Sequence, residues 1–410
     1  MSALLDSLLD GNTSAEAQAI RADGLPGARS EAWKYTSLRA LAQRRFVPAA
    51  AAQADAAQLA DIPAPRIVFV NGHFDASLSR LDDLPANIRL DIEPASAPAA
   101  LPQSGKPTLW QSDSDHWFVR INHLLASGMR LEIAGDAGVL HLVCLQQKDE
   151  HDQAVHLHHQ IQLAAGSRLT LVEHQLGDGT HHSLDTGHMR ITLADDAQLQ
   201  HLRLQCDSPH AYRFLRSDVQ LAAGSHYQRL DLELGAALSR HELNVHLQGE
   251  GAQVQAAGVL LGDGRRHLDT RLGIHHHAAN TRSELPWRGL AAGRSRVVFH
   301  GGIQIHAGAD GTEADLQNRN ILLSAQAEVD TQPVLVIDAD EVKAAHGATV
   351  GQLNATALFY LRSRGIPEAE ARRILTAAFC RDLLGQVQDP ALYALLEARL
   401  ATALDRIEAA

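Results

Sequence analysis

One short pattern is written five times between residues 131 and 254. It reads Leu131-Glu-Ile-Ala-Gly-Asp-Ala-Gly-Val-Leu, then Ile161-Gln-Leu-Ala-Ala-Gly-Ser-Arg-Leu-Thr, then Ile191-Thr-Leu-Ala-Asp-Asp-Ala-Gln-Leu-Gln. It returns as Val219-Gln-Leu-Ala-Ala-Gly-Ser-His-Tyr-Gln and, more weakly, as Val245-His-Leu-Gln-Gly-Glu-Gly-Ala-Gln-Val. The starts at 131, 161, 191, 219 and 245 lie 30, 30, 28 and 26 residues apart. Each copy alternates apolar and polar residues, passes a small-residue turn and alternates again, which is strand, tight turn, strand. Such a unit cannot bury its own apolar face, but stacked neighbours can bury it for one another. The regular offset therefore favours a β-helix or related β-solenoid over a sandwich of ordinary hairpins. The alternating texture, with no helical stripe, sets a β-helix core over residues 105–345.

The flanks differ. In residues 1–104, Leu4, Leu5, Leu8 and Leu9 fall at helical spacing, and Ala15 to Ile20 reads as a second short helix. Ser30 stands where it would cap a turn. Arg66 to Val70 (RIVFV) reads as a strand ending in an Asn71-Gly72 turn, and the prolines from Pro94 to Pro107 mark a linker. Residues 346–410 read as helical. Leu358, Phe359, Tyr360 and Leu361 sit in a short helix stopped at Arg364-Gly365, and Pro367 opens a second with Glu368 and Glu370 near its positive end. That helix is expected to bury Ile374, Leu375, Ala378 and Leu383. Asp389-Pro390 opens a third, carrying Leu392, Leu395, Leu396, Leu400 and Leu404.

Several function classes drop out. The net charge is -12 and no long basic run occurs, which argues against nucleic-acid binding. No apolar stretch approaches the roughly 18 residues of a membrane span, and the N-terminus lacks a signal-peptide pattern, so the expected compartment is the cytosol. With 45% hydrophobic and 20% charged residues the chain as a whole is not disordered. The 3 cysteines, Cys144, Cys206 and Cys380, form no C-x-x-C pair, so a thiolate-built cluster or zinc site held by this chain alone is not expected. There is no G-x-S-x-G elbow and no P-loop.

The 24 histidines raise a metal question. His156 and His158 share a strand face, as do His275 and His277. A cupin-like metal site would need a glutamate a few residues after such a pair, but the next is Glu173, so these histidines are expected at solvent-facing strand positions. His346 is singled out for a different reason. Gln332 to Asp340 reads as a strand and Leu358 onward as a helix, and His346 lies in the glycine-bounded segment between them, flanked by small residues that leave its imidazole open. The alternative is that it caps the following helix.

His346-Gly-Ala-Thr-Val-Gly351 followed by Phe359-Tyr-Leu-Arg-Ser-Arg-Gly365 resembles the signature of the SufB/SufD family of iron–sulfur cluster assembly proteins. Gln317-Asn-Arg-Asn-Ile-Leu-Leu-Ser324, Glu328-Val-Asp-Thr-Gln-Pro333 and Glu31-Ala-Trp-Lys-Tyr-Thr36 are similar too. Asn320 and Ile321 stand where SufB carries a functional cysteine, and Gly347 follows His346 where SufB has glutamate, so the likeness is to the SufD branch. Ala344 departs from a cysteine common in that branch.

The resemblance implies a mostly β fold, a right-handed parallel β-helix flanked by α-helical segments. It further implies a non-catalytic scaffold subunit of a SufBCD-type complex, pairing with SufB through the β-helix. The C-terminal helices would bind the SufC ATPase, to which ATP hydrolysis belongs, with Phe359, Tyr360, Leu361, Arg362 and Arg364 as partner-binding residues. Those aromatics have an alternative role as a cap on the solenoid end. No cofactor would be tightly bound. Iron or a nascent cluster would rest transiently on His346 at the partner interface, and the isolated chain could pair with itself. The competing reading is a histidine–metal β-fold enzyme acting on a small molecule.

Overall fold

The five repeat starts stand in one column. In the computed structural model, which describes residues 2–27, 29–93, 116–177 and 179–409, Leu131 pairs with Ile161, Ile161 with Ile191, Ile191 with Val219 and Val219 with Val245, all in parallel register. The column continues through Ile274, Ile303 and Leu335, beyond the last copy legible in the sequence. Every member from Leu131 to Ile303 is buried.

Short strands β1 (Val47–Pro48), β2 (Arg66–Val70), β3 (His73–Phe74) and β4 (Ile88–Glu93) precede the repeat. The repeat itself supplies β5 (Ser127–Ile133), β6 (Asp136–Gln146), β7 (Gln153–Leu163), β8 (Arg168–Gly177), β9 (Ser183–Leu193) and β10 (Gln198–Cys206). It goes on with β11 (Ala211–Leu221), β12 (His226–Glu233), β13 (Leu238–Leu247), β14 (Gln253–Gly262) and β15 (His267–His276). Then come β16 (Arg282–Ala291), β17 (Arg296–Ile305), β18 (Glu313–Leu322), β19 (Glu328–Ile337) and β20 (Lys343–Gly351). Odd strands from β5 to β19 form one parallel sheet, A, and even strands from β6 to β20 the other, B. β4 closes the start of sheet A antiparallel to β5, while β2 and its hairpin partner β3 close the start of sheet B. The architecture is a parallel β-solenoid of two strands per turn, with side chains of both sheets in its interior.

The turn inside each repeat needs a left-handed residue. Gly166 (φ +66°) and Gly224 (φ +62°) supply it in two copies, and Asp196 (φ +58°) in the copy between them. Glycine has no Cβ to clash there, and aspartate is among the few other residues that tolerate it.

Helices cover both outer faces. α1 (Ala3–Leu8), α2 (Ala15–Asp23) and α3 (Trp117–Leu125) lie over sheet A, where Leu4, Leu5, Ile20, Trp33, Trp117 and Phe118 bury themselves against Ala154, Leu184 and Phe214. α3 is a departure from expectation, since it falls inside the stretch read as all-β. Its nine residues are shorter than the window over which a helical stripe can be told from a strand. Ser30 precedes a single 3-10 turn at Glu31–Trp33 without bonding to it through its side chain. The expected linker from Pro94 lies outside the described residues.

At the other end, α4 (Ala355–Ser363), α5 (Glu368–Leu384) and α6 (Pro390–Ala409) follow β20. α5 and α6 pack on the outer face of sheet B, setting Cys380, Leu383, Leu384, Leu392, Leu396 and Leu400 against Leu202, Leu204, Leu230 and Leu232. The buried face of α5 is therefore Ala377, Cys380, Leu383 and Leu384, not the expected Ile374, Leu375 and Ala378, because the sheet meets the helix from the other side. No helix among the described residues is long and apolar enough to cross a membrane.

Candidate functional site

His346 is not in a loop. It lies within β20, opposite Leu316 of β18, and β20 runs on to Gly351, past the 345/346 boundary drawn from the sequence. Nor does it cap the next helix; Asn354 does, its Oδ1 accepting from the Ala357 amide at 2.9 Å. The glycine and alanine neighbours that suggested a loop are a strand with little side chain on it. β20 is the last strand of sheet B and β19 the last of sheet A, so the solenoid ends there on two strand edges with no further strand beside them among the described residues. Unpaired N–H and C=O groups on such edges are templates for another chain. His346 is exposed, and Ile337 (44%) and Val350 (45%) are exposed apolar residues on the same two strands.

The edge is rigidly backed. Asn318 and Asn320 of β18 are buried. Asn320 Nδ2 donates to Asn318 Oδ1 at 2.5 Å and to the Thr349 carbonyl at 3.1 Å, while Thr331 Oγ1 of β19 donates to Asn318 Oδ1 at 2.8 Å. Three strands are thus cross-tied beside His346. α4 follows at once and buries no residue. Phe359 is 72% and Tyr360 54% exposed, so the aromatics do not cap the solenoid. Arg364 lies over the Tyr360 ring at 4.5 Å, and Arg362 pairs with Glu368 at 3.3 Å. Leu361 is half-buried.

None of the three groups of potential metal-ligating side chains among the described residues includes His346. The cysteines do not help: burial pushes the Cys206 thiol up to about 11 and Cys380 to about 12, and raises Cys144 further still. Thiols held protonated are poor nucleophiles and poor ligands.

Of the two histidine pairs only His277 is exposed as expected; His156 and His158 are half-buried and His275 is buried. His158 joins His123 and His188, and His275 joins His246 and His277, each group bringing ring nitrogens within 4.8 Å of one another. His156 accepts or donates a bond with Thr186 Oγ1 at 2.7 Å. Strand spacing finds His275 and His277 together but not His246 of the neighbouring turn, and it joins His158 to His156 rather than to His123 of α3 and His188 of the next turn.

A second feature absent from the sequence reading is a charged network inside the solenoid. Glu173, Arg203 and Asp231 are register neighbours on β8, β10 and β12. Arg229 Nε bonds Asp231 at 2.8 Å, His201 bonds Glu173 at 3.1 Å and the Tyr227 hydroxyl at 3.0 Å, and Arg203 pairs with Glu233. Burial opposes the charge on Glu173, but the His201 bond and Arg203 outweigh it and hold its carboxyl low. Asp185 goes the other way: burial raises it to about 7 against the pull of Arg213. A cavity of about 50 Å³ runs beside these groups, lined also by Cys144, Gln146 and His241.

The motif Glu31 to Thr36 turns out to be a docking element. Trp33 lies under the Arg240 guanidinium at 3.8 Å, the Ala32 carbonyl accepts from Arg240 and Arg271 at 2.7 and 2.8 Å, and Thr36 Oγ1 donates to Asp269 at 2.6 Å. It fastens the N-terminal segment to sheet A.

Known proteins resemble this chain in sequence. The family model described as "SUF system FeS cluster assembly, SufBD core domain" matches residues 144–379, from β6 into α5. The iron–sulfur cluster assembly protein SufD of Escherichia coli K12 is 30% identical over 392 residues, covering 93% of this chain and 90% of that protein. A SufBD family protein of Synechocystis is 29% identical over 403 residues, covering 93% of this chain and 88% of its own length. One from Mycobacterium tuberculosis is 26% identical over 251 residues, 59% of this chain. The chain belongs to the SufBD family of SUF-system iron–sulfur cluster assembly proteins.

Proposed function

We propose that this SufD-like chain is a cytosolic, non-catalytic scaffold subunit of a SufBCD-type complex. The open end of its solenoid, β19 and β20, meets a SufB-type partner. The C-terminal helices bind a SufC-type ATPase, with Phe359, Tyr360, Leu361, Arg362 and Arg364 in the contact. Iron or a nascent cluster is cargo rather than a resident cofactor, held by His346 and by a thiolate or carboxylate of the partner.

The observation that carries this reading is the exposed histidine on an unpaired terminal strand edge, with Ile337 and Val350 exposed beside it. An edge of this kind accepts another chain by strand pairing or edge packing. The backing by Asn318, Asn320 and Thr331 keeps it in place, as a site completed by docking needs. A single imidazole with a partner's ligand makes a labile iron site, which suits a cluster that must be handed on. On α4, exposed aromatics next to arginines match the composition of binding hot spots.

The test is co-expression with SufB and SufC partners followed by size-exclusion chromatography. A stable mixed complex is expected for the parent chain and for His346→Ala, whose side chain supports no packing. His346→Ala should lose cluster assembly in cells lacking the native copy. No mixed complex, or full assembly with His346→Ala, overturns the reading.

A further inference from the structure

Far along the solenoid from β20, three imidazoles converge where α3 lies on sheet A. His158 of β7 and His188 of β9 are register neighbours, and His123 reaches them from α3. The ring centroids are 5.3, 5.1 and 4.9 Å apart, and a ring nitrogen of each lies within 4.8 Å of the other two. His123 Nε2 and His188 Nδ1 are 2.9 Å apart.

The other nitrogen of His188 is already committed. Nε2 lies 2.7 Å from Asp218 Oδ2, and Asp218 is itself held by Arg216 Nε at 2.9 Å and Asn244 Nδ2 at 3.2 Å. A carboxylate that takes the N–H of an imidazole fixes its tautomer and leaves the opposite nitrogen with a lone pair, as in the outer shell of metal-bound histidines. Here that lone pair is on Nδ1, facing His123. His158 Nε2 is a buried nitrogen without a hydrogen-bond partner among the described residues, a condition that calls for an occupant.

The three rings are held neutral, the ligating form. Burial, with the neighbouring His188, pushes His123 down to about 3 and His158 to about 2. Burial also lowers His188 in spite of its Asp218 bond. The cations nearby are Arg190 and Arg216, and Arg216 is matched by Asp218 and by Glu242 at 3.7 Å.

We propose that His123, His158 and His188 form a three-imidazole site for one divalent transition-metal ion of the zinc, cobalt or ferrous class, with Asp218 as a positioning residue. Three nitrogen donors select such ions over the oxygen-seeking magnesium and calcium. Metal–nitrogen bonds of 2.0–2.1 Å in a tetrahedron put the nitrogens about 3.3 Å apart, so the 2.9 Å pair opens slightly and the third ring closes in. Water fills the remaining position. The ion ties α3 to sheet A, beside Asn122, whose Nδ2 already donates to the Leu157 and Thr186 carbonyls at 2.9 Å each. The site is independent of His346 and of the scaffold reading, and it departs from the expectation of a chain with no resident metal.

The test uses the full chain stripped by chelator and carrying His277→Ala, which removes the exposed member of the second histidine group. Co2+ is titrated in and then displaced by Zn2+. A saturable visible absorption at one equivalent is expected, along with a higher Tm on metal addition. His158→Ala should abolish the absorption, as should His158→Gln, which keeps most of the side-chain volume and guards against a folding defect. Asp218→Asn should weaken binding about 10- to 100-fold. His346→Ala should leave the cobalt absorption at one equivalent unchanged. Absence of a saturable signal, or its survival in both His158 variants, overturns the site.

Discussion

Arg229 is fully buried, and its guanidinium is bonded on every side: Asp231 at 2.8 Å, Ser217 and the Tyr227 hydroxyl at 3.1 Å each, and His241 at 3.1 Å. Asp231 is equally buried. Removing one partner of such a pair strands the other charge, which costs about 3–5 kcal/mol, while replacing both by apolar groups is often neutral. Arg229→Met is therefore expected to lower the unfolding free energy by about 3–5 kcal/mol, and Arg229→Met with Asp231→Leu to recover most of it. Urea denaturation of the two variants measures this; a double variant as unstable as the single would show that the wider network carries the energy. These residues were not legible as interior. In β12 the apolar Leu230 and Leu232 point outward under α5 and α6, so Tyr227, Arg229, Asp231 and Glu233 point inward. An alternating strand shows its two faces but not which one the rest of the chain will cover.

At the scale of elements, the repeat predicts the sheet A strands and their register correctly, because a period-2 pattern with a fixed turn leaves little freedom. It fails at both margins. α3 is too short to announce itself, and β20 carries so few large side chains that it reads as loop. Among the α-helices α4 owes least to packing, since none of its residues is fully buried. Its nine residues are below the length at which a helix holds itself in water, so the Asn354 cap matters more than usual. Asn354→Ala should cost about 1 kcal/mol, confined to α4. Hydrogen exchange should report faster amide exchange across Ala355–Ser363 at an unchanged global Tm. A drop in Tm would mean that α4 is coupled to the body. The same marginal helix presents Phe359 and Tyr360, so docking of a partner there is expected to slow its exchange.

The molecule as a whole is a solenoid with helices on its two sides and an open end, and its most distinctive composition, the histidines, is built into it rather than spread over it. Burial pushes His141, His159, His276 and His300 to about 4, and His174 and His275 to about 3. In the unfolded chain each titrates near 6.5. Above pH 6.5 they are neutral in both states and contribute no pH dependence. Below it the unfolded chain takes up protons that the folded one refuses, so stability falls as pH falls from 6.5 toward 4. Each such group contributes a slope of about 1.4 kcal/mol per pH unit. Asp185 acts in the opposite sense. With its folded value raised to about 7, the folded state holds a proton between pH 4 and 7 that the unfolded state has lost, and this adds stability as pH falls through 7. One carboxyl offsets one histidine, and the histidines outnumber it. The expected outcome is a steep loss of Tm between pH 6.5 and 5, before most carboxylates titrate, and a steeper one for Asp185→Asn. Thermal melts at fixed ionic strength across that range would decide it, and a flat profile would mean that the buried imidazoles accept protons without leaving the fold.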